Sequence, residues 1–158
     1  NADVLIDTSS LSLREFQEKL IGFFSTDAKP RLVVLLTSFG YKHGLPSTAD
    51  VVLDVRFLPN PFYDPVLGGR TGLDPEVREF VFRSEDTRLF LEKTQDWLDF
   101  LIPKYVQEGK SHLGLAVGCT GGRHRSVVIA ESLREFLAAR CPSKDLLAVA
   151  VLHRDIGK

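Results

Sequence analysis

The stretch "HLGLAVGCTGGRHRSVVIAESLREFLAAR", His112 to Arg140, decides the fold. The apolar run His112–Val117 has the make-up of a short buried strand. Ser126–Arg140 follows as an amphipathic helix, with Val127, Ala130, Leu133 and Leu137 on one stripe. Between them lies a loop of Cys119, Thr120, two glycines and three basic residues. In open α/β sheets a ligand sits beyond the carboxyl ends of the strands, where such a loop lies. The helix N-terminus there offers unpaired N–H groups and the positive end of a dipole. Gly121 and Gly122 let the backbone close around an anion, and Thr120 and Ser126 add hydroxyls. Arg125 can grip phosphate oxygens in a two-pronged fork, Arg123 can do the same if it turns inward, and His124 can gain charge near neutral pH. The plain alternative is a glycine turn carrying solvated basic residues.

Working outward, "RLVVLLTSFG" (Arg31–Gly40) is a continuous apolar run, as expected of a strand buried on both faces. Further strands are expected over Asp50–Leu58 and Leu146–Asp155. Pro59–Pro75 is a long Pro/Gly-rich loop, and loops of that length are often functional. It ends with Asp74 as a helix cap and Pro75 at the first helical position. A helix is expected over Glu85–Ile102, with Phe90, Trp97, Leu98, Leu101 and Tyr105 near helical spacing and Pro103 ending or kinking it. Alternating strands and helices predict an α/β fold with a mainly parallel sheet, flanking helices and the ligand loop at a strand-to-helix switch.

The first 29 residues read differently. A strand over Asp3–Thr8, a helix with Ser12 as cap and Glu15 three residues on, and a linker over Ser25–Arg31 suggest the tail of a preceding domain. Residues 30–158 would then form the main domain, and the lack of any Met points to a piece of a longer protein.

A hydrophobic content of 44% provides material for a real core. The net charge of −1 argues neither for nor against nucleic acid, so a local basic patch would have to carry that role. Cys119 and Cys141 make no disulfide framework, and a reducing, cytoplasmic setting is expected. No apolar run has transmembrane length, and the N-terminus lacks the basic start of a signal peptide. His112 and His153 lack metal-ligand spacing, so no metal is expected.

The loop also fits C-x5-R, since "CTGGRHRS" resembles the signature loop of cysteine-dependent phosphatases. In that reading Cys119 is the nucleophile, its thiol pKa lowered by the helix end, and Arg125 clamps the phosphate. Two features stand against it. Gly118 occupies the place where that family usually has His, and neither Asp54 nor Asp64 lies in its Trp-Pro-Asp setting for a general acid.

"DVRFLPNP" (Asp54–Pro61), "TGLD" (Thr71–Asp74), "GCTGGRHRSVVIAE" (Gly118–Glu131) and "HRDI" (His153–Ile156) occur in this order. Together they closely resemble the C-terminal domain of the RapZ/YvcJ family of bacterial proteins, over about residues 31–156. The segment before residue 29 resembles the end of that family's P-loop nucleotide-binding domain. The Walker A loop itself is not in this sequence, so no ATP or GTP cofactor and no nucleotide hydrolysis are expected of it. The resemblance implies an adaptor, not an enzyme. It would sense glucosamine-6-phosphate from amino-sugar metabolism, bind small regulatory RNA, present it to a ribonuclease, and self-associate into a homo-oligomer. The 11 phenylalanines are compatible with a buried interface.

Carried over by position, the phosphosugar pocket would use Thr120, Gly121, His124 and Arg125, with Gly122 and Ser126 completing the loop. Asp54 would accept from a sugar hydroxyl or amine, unless it is spent on Arg56, and Arg83 would close over the phosphate. Phe62 stands where the best-studied members carry His, which removes a donor. RNA contacts are expected at Arg70, Lys104, Lys110 and Arg123, with Tyr63 as a stacking platform. Two other readings remain open: the phosphatase, and a regulatory or oligomerisation module of an ATP/GTP-binding protein.

Overall fold

The computed structural model describes residues 32–140 and 147–158. The strand expected over Asp3–Thr8, the helix after Ser12, the Ser25–Arg31 linker, the domain tail over 1–29 and Cys141 lie outside the described residues. Among those described, four strands form one all-parallel sheet: β1 (Leu32–Gly40), β2 (Val51–Asp54), β3 (His112–Cys119) and β4 (Leu147–His153). Their order is β2-β3-β1-β4. Three helices join them: α1 (Pro75–Phe82), α2 (Glu85–Glu108) and α3 (Arg125–Arg140). This is the α/β fold that the alternation of patterns predicts.

The central strand β1 pairs with β3 on one side and β4 on the other, and Leu32, Val34, Leu36 and Phe39 are fully buried. That explains its uninterrupted apolar run. The connection leaving β1 crosses β3 to reach β2, whereas the one leaving β3 crosses β1 to reach β4. The two diverge beside Gly40 and Cys119, which pair in register at the carboxyl end of the sheet. Divergence of this kind opens a crevice.

Two elements differ from expectation. β2 stops at Asp54 instead of running to Leu58. After the Val55 N–H donates to the Gly118 carbonyl, the chain turns, with the Leu58 N–H on the Val55 carbonyl. The carbonyls of Arg56 and Leu58 then face the Arg125 guanidinium instead of a neighbouring strand. Helix α2, in turn, passes through Pro103 and ends six residues beyond the predicted Ile102, at Glu108. Ile102, Tyr105 and Val106 pack on the core on both sides of the proline. Their burial offsets the roughly 3 kcal/mol that an interior proline costs. The stop is supplied by Gly109 at φ 89°, whose N–H meets the Val106 carbonyl while that of Lys110 meets Tyr105. The buried face of α2 is Thr87, Leu91, Thr94 and Leu98, and Trp97 is turned outward.

Helix α3 is buried on more than the predicted stripe. Val127, Val128, Ile129, Ala130 and Leu133 are all inaccessible, because the helix lies against β1, β3 and β4. Pro75 opens α1 as expected. The Asp74 carboxylate, however, accepts from the Thr71 N–H and hydroxyl (2.7 and 3.0 Å) and bonds no helix amide. It closes the turn that leads into the helix.

Candidate anion-binding site

The loop between β3 and α3 is wedged against the end of β1. Gly122 adopts φ 81°, and a Cβ there would come within 2.6 Å of the Gly40 nitrogen and 2.8 Å of the Asp155 Cβ. A Cβ on Gly40 would meet the Gly121 carbonyl carbon at 2.5 Å. Only glycine satisfies both contacts, and Gly122 also needs the left-handed backbone. The Cys119 thiol is 3% exposed, accepts from the Gly122 N–H at 3.2 Å, and lies 3.2 Å from the Ser126 hydroxyl. Cys119 and Ser126 thus brace the loop from beneath. The amides of Gly121, Arg123, His124 and Arg125 meet no acceptor among the described residues. Together they form the concave set of donors expected of an anion cradle.

Above the loop is a cavity of about 340 Å³. Its floor is Cys119, Thr120, Gly121 and the three basic residues Arg123, His124 and Arg125. Lys42, Asn60, Phe62, Tyr63, Gly68 and Lys158 complete its lining, and among the described residues no Asp or Glu side chain lines it. Arg125 is buried. One guanidinium nitrogen donates to the carbonyls of Arg56 and Leu58, the other to the Thr120 hydroxyl at 3.2 Å, and Nε has no partner. His124 is 6% exposed, and its Nε2 is also unpartnered. Burial holds the His124 pKa below the usual histidine value; the Arg70 and Gly68 backbone beside the ring opposes this, and the charges of Arg123 and Arg125 add to it. Buried polar atoms without partners are costly. Both residues line the same cavity.

The remaining candidates are distributed around this centre. Arg123 lines the cavity and donates to the carbonyls of Arg70 (3.1 Å) and Gly69 (2.7 Å), fastening the long loop. Asp54 does not line it. It is bound two-pronged by Arg56 at 2.6–3.0 Å, which holds its carboxyl below the usual range. Arg83 pairs with Glu79 at 3.0 Å on the solvent side of α1. Arg70 pairs with Glu76 and Lys110 with Asp50, and Lys104 lies 5.8 Å from the Phe100 ring. Arg70 and Arg123 therefore adjoin, whereas Lys104 and Lys110 lie at the far end of α2. Asp64 caps its own turn, accepting from the Val66 and Leu67 amides.

Lys42, Asn60, Gly68 and Lys158 line the cavity but are not among the residues that the sequence reading named. Lys42 had a signal: it stands two residues beyond the carboxyl end of β1, where ligands of such sheets sit. Lys158 had none. It is positioned by Asp155, which is fully buried and accepts from Lys158 Nζ (2.7 Å), Arg154 (2.7 Å) and the Gly40 N–H (2.9 Å). Burial alone would raise the Asp155 pKa, but Arg154, the Gly40 amide and Lys158 outweigh it and hold the group at about 2.

Among the described residues no cluster of His, Cys, Asp and Glu could hold a metal ion, and no helix is long and apolar enough to cross a membrane. The chain is 48% identical to a nucleotide-binding protein of Heliobacterium modesticaldum, over 99% of this chain and 51% of that protein. It is 46% identical to nucleotide-binding proteins of Bacillus cytotoxicus and Caldicellulosiruptor bescii, over 99% of this chain and 52% and 53% of theirs. The chain thus spans about half the length of these curated relatives. The RapZ C-terminal domain family matches residues 32–157, a span that holds every strand and helix described and the whole glycine loop. The chain belongs to that family.

Proposed function

We propose that this domain is a sensor of a small phosphate ester, an amino-sugar phosphate such as glucosamine-6-phosphate. We further propose that it serves as a small-RNA-binding adaptor for a ribonuclease, as a homo-oligomer in the bacterial cytoplasm and within a longer ATP- or GTP-binding protein. One observation carries the reading: a cavity lined by Lys42, Arg123, His124, Arg125 and Lys158, and by no Asp or Glu among the described residues, over a loop in which the Gly121, Arg123, His124 and Arg125 amides meet no acceptor among those residues. The phosphate dianion lies in the loop, and Asn60 and Thr120 serve the hydroxyls.

Binding, not hydrolysis, is favoured by what surrounds Cys119. A thiolate displacement needs a proton donor for the leaving oxygen. Among the described residues no Asp or Glu lines the cavity, Asp54 is held by Arg56, and Asp64 caps its own turn. The test is calorimetry with glucosamine-6-phosphate, glucosamine and inorganic phosphate, together with an aryl-phosphate assay on wild type and Cys119→Ser. Binding of the phosphate ester and silence in the assay are expected. Turnover that Cys119→Ser abolishes would install the phosphatase in place of the sensor.

A further inference from the structure

Part of the cavity lining is aromatic. Phe62 and Tyr63 both line it, yet they are 64% and 81% exposed. Their rings meet edge to face with centroids 5.5 Å apart, so each leaves a face uncovered beside the mouth. They follow Asn60, whose side-chain oxygen is 3.3 Å from the Phe62 N–H, and Pro61, which is buried. The 3-10 turn is therefore anchored at its root and holds the two rings out at the rim. Two large rings exposed side by side, beside a cationic cavity, have no role in the core.

We infer that this rim is a stacking subsite and that the cavity accepts a nucleoside monophosphate, its phosphate in the Thr120–Arg125 cradle and its base against Tyr63 and Phe62. The inference rests on the phosphate-site reading above and adds a ligand class to it. Three features support it. The amides of Gly121, Arg123, His124 and Arg125, which meet no acceptor among the described residues, mark where the phosphate belongs. Among the described residues no Asp or Glu lines the cavity, so selectivity for the rest of the ligand falls to uncharged contacts. The contact on offer is a flat aromatic one, to which a heterocyclic base presents a broad matching face. Asn60 keeps its amide N–H groups free of its own turn, since only its oxygen is used there, and they can meet a ribose hydroxyl or a base edge.

The experiment compares adenosine 5′-monophosphate and uridine 5′-monophosphate with ribose 5-phosphate and inorganic phosphate. All are titrated calorimetrically into the wild-type chain and into Phe62→Ala/Tyr63→Ala. Both side chains are exposed, so the double variant retains the fold, and circular dichroism verifies this. The nucleotides should bind on the order of tenfold more tightly than ribose 5-phosphate. The double variant should erase that gap and leave ribose 5-phosphate unchanged. Equal affinities in the wild type, or a gap that survives the double substitution, overturn the stacking subsite while leaving the phosphate cradle standing. If none of the four ligands binds while glucosamine-6-phosphate does, the subsite alone falls; if glucosamine-6-phosphate also fails to bind, the cradle reading falls with it.

Discussion

A single methyl group tests the site at Gly122. That residue combines a left-handed backbone with a 2.6 Å approach to the Gly40 nitrogen. Gly122→Ala should destabilise the fold by about 1–3 kcal/mol and remove phosphate binding, read by urea unfolding and calorimetry on the same sample. Asp155 makes a second, pH-dependent case. Its folded pKa of about 2 lies below the unfolded carboxylate value, so the native state binds the proton less readily. Its stabilisation is complete above the unfolded value and is lost as pH falls towards 2. Asp155→Asn should therefore cost about 2 kcal/mol at pH 7 and flatten the acid limb of the stability profile. An unchanged acid limb would show that the Gly40 amide and the two cations gain nothing from this carboxylate. The first of these residues was visible in the sequence, because paired glycines before a helix suggest a close approach. The second was not, since a buried Asp near the end of a chain has no pattern of its own.

Arg125 belongs to the scale of elements, because it joins three of them. It begins α3, its guanidinium takes the carbonyls that β2 leaves unpaired after Asp54, and it reaches the Thr120 hydroxyl beyond β3. Lysine lacks the planar fork that serves several acceptors at once. Arg125→Lys should lower stability by roughly 1–3 kcal/mol and abolish phosphate binding together, shown by thermal unfolding with and without ligand. Intact stability with lost binding would restrict the residue to the ligand. This junction also shows where sequence reading stops. "DVVLDVRFL" is apolar enough to read as one strand throughout, and what ends it is a side chain 69 positions away. Pro103 is the reverse case, a strong local signal overridden by apolar residues that pack beyond it. The cores of β1, β3 and α3 were legible because burial there is continuous and leaves a pattern.

At the scale of the whole molecule the charge is nearly balanced at −1, so attraction to nucleic acid has to come from its arrangement. Arg70 and Arg123 adjoin at the long loop, and Lys104 and Lys110 lie elsewhere, with Arg70 and Lys110 partly neutralised by Glu76 and Asp50. Affinity for a small RNA should drop steeply between low and physiological salt as counterions are released, which filter binding across a salt series measures. Arg123→Ala should weaken it and reduce the slope by about one. A flat response would remove RNA from the account. That the loop lies at a strand-to-helix switch could be read from the order of patterns; that it lies where the connections of β1 and β3 diverge could not, because this depends on the strand order. Its sides could not, because Asn60, Lys42 and Lys158 come from three separate places and meet only on folding. The wedge between Gly40, Gly122 and Asp155 has a kinetic corollary. Walls already locked together need no rearrangement when a guest arrives, so capture should run at the pace of electrostatically guided diffusion, and empty and occupied forms should superpose almost atom for atom.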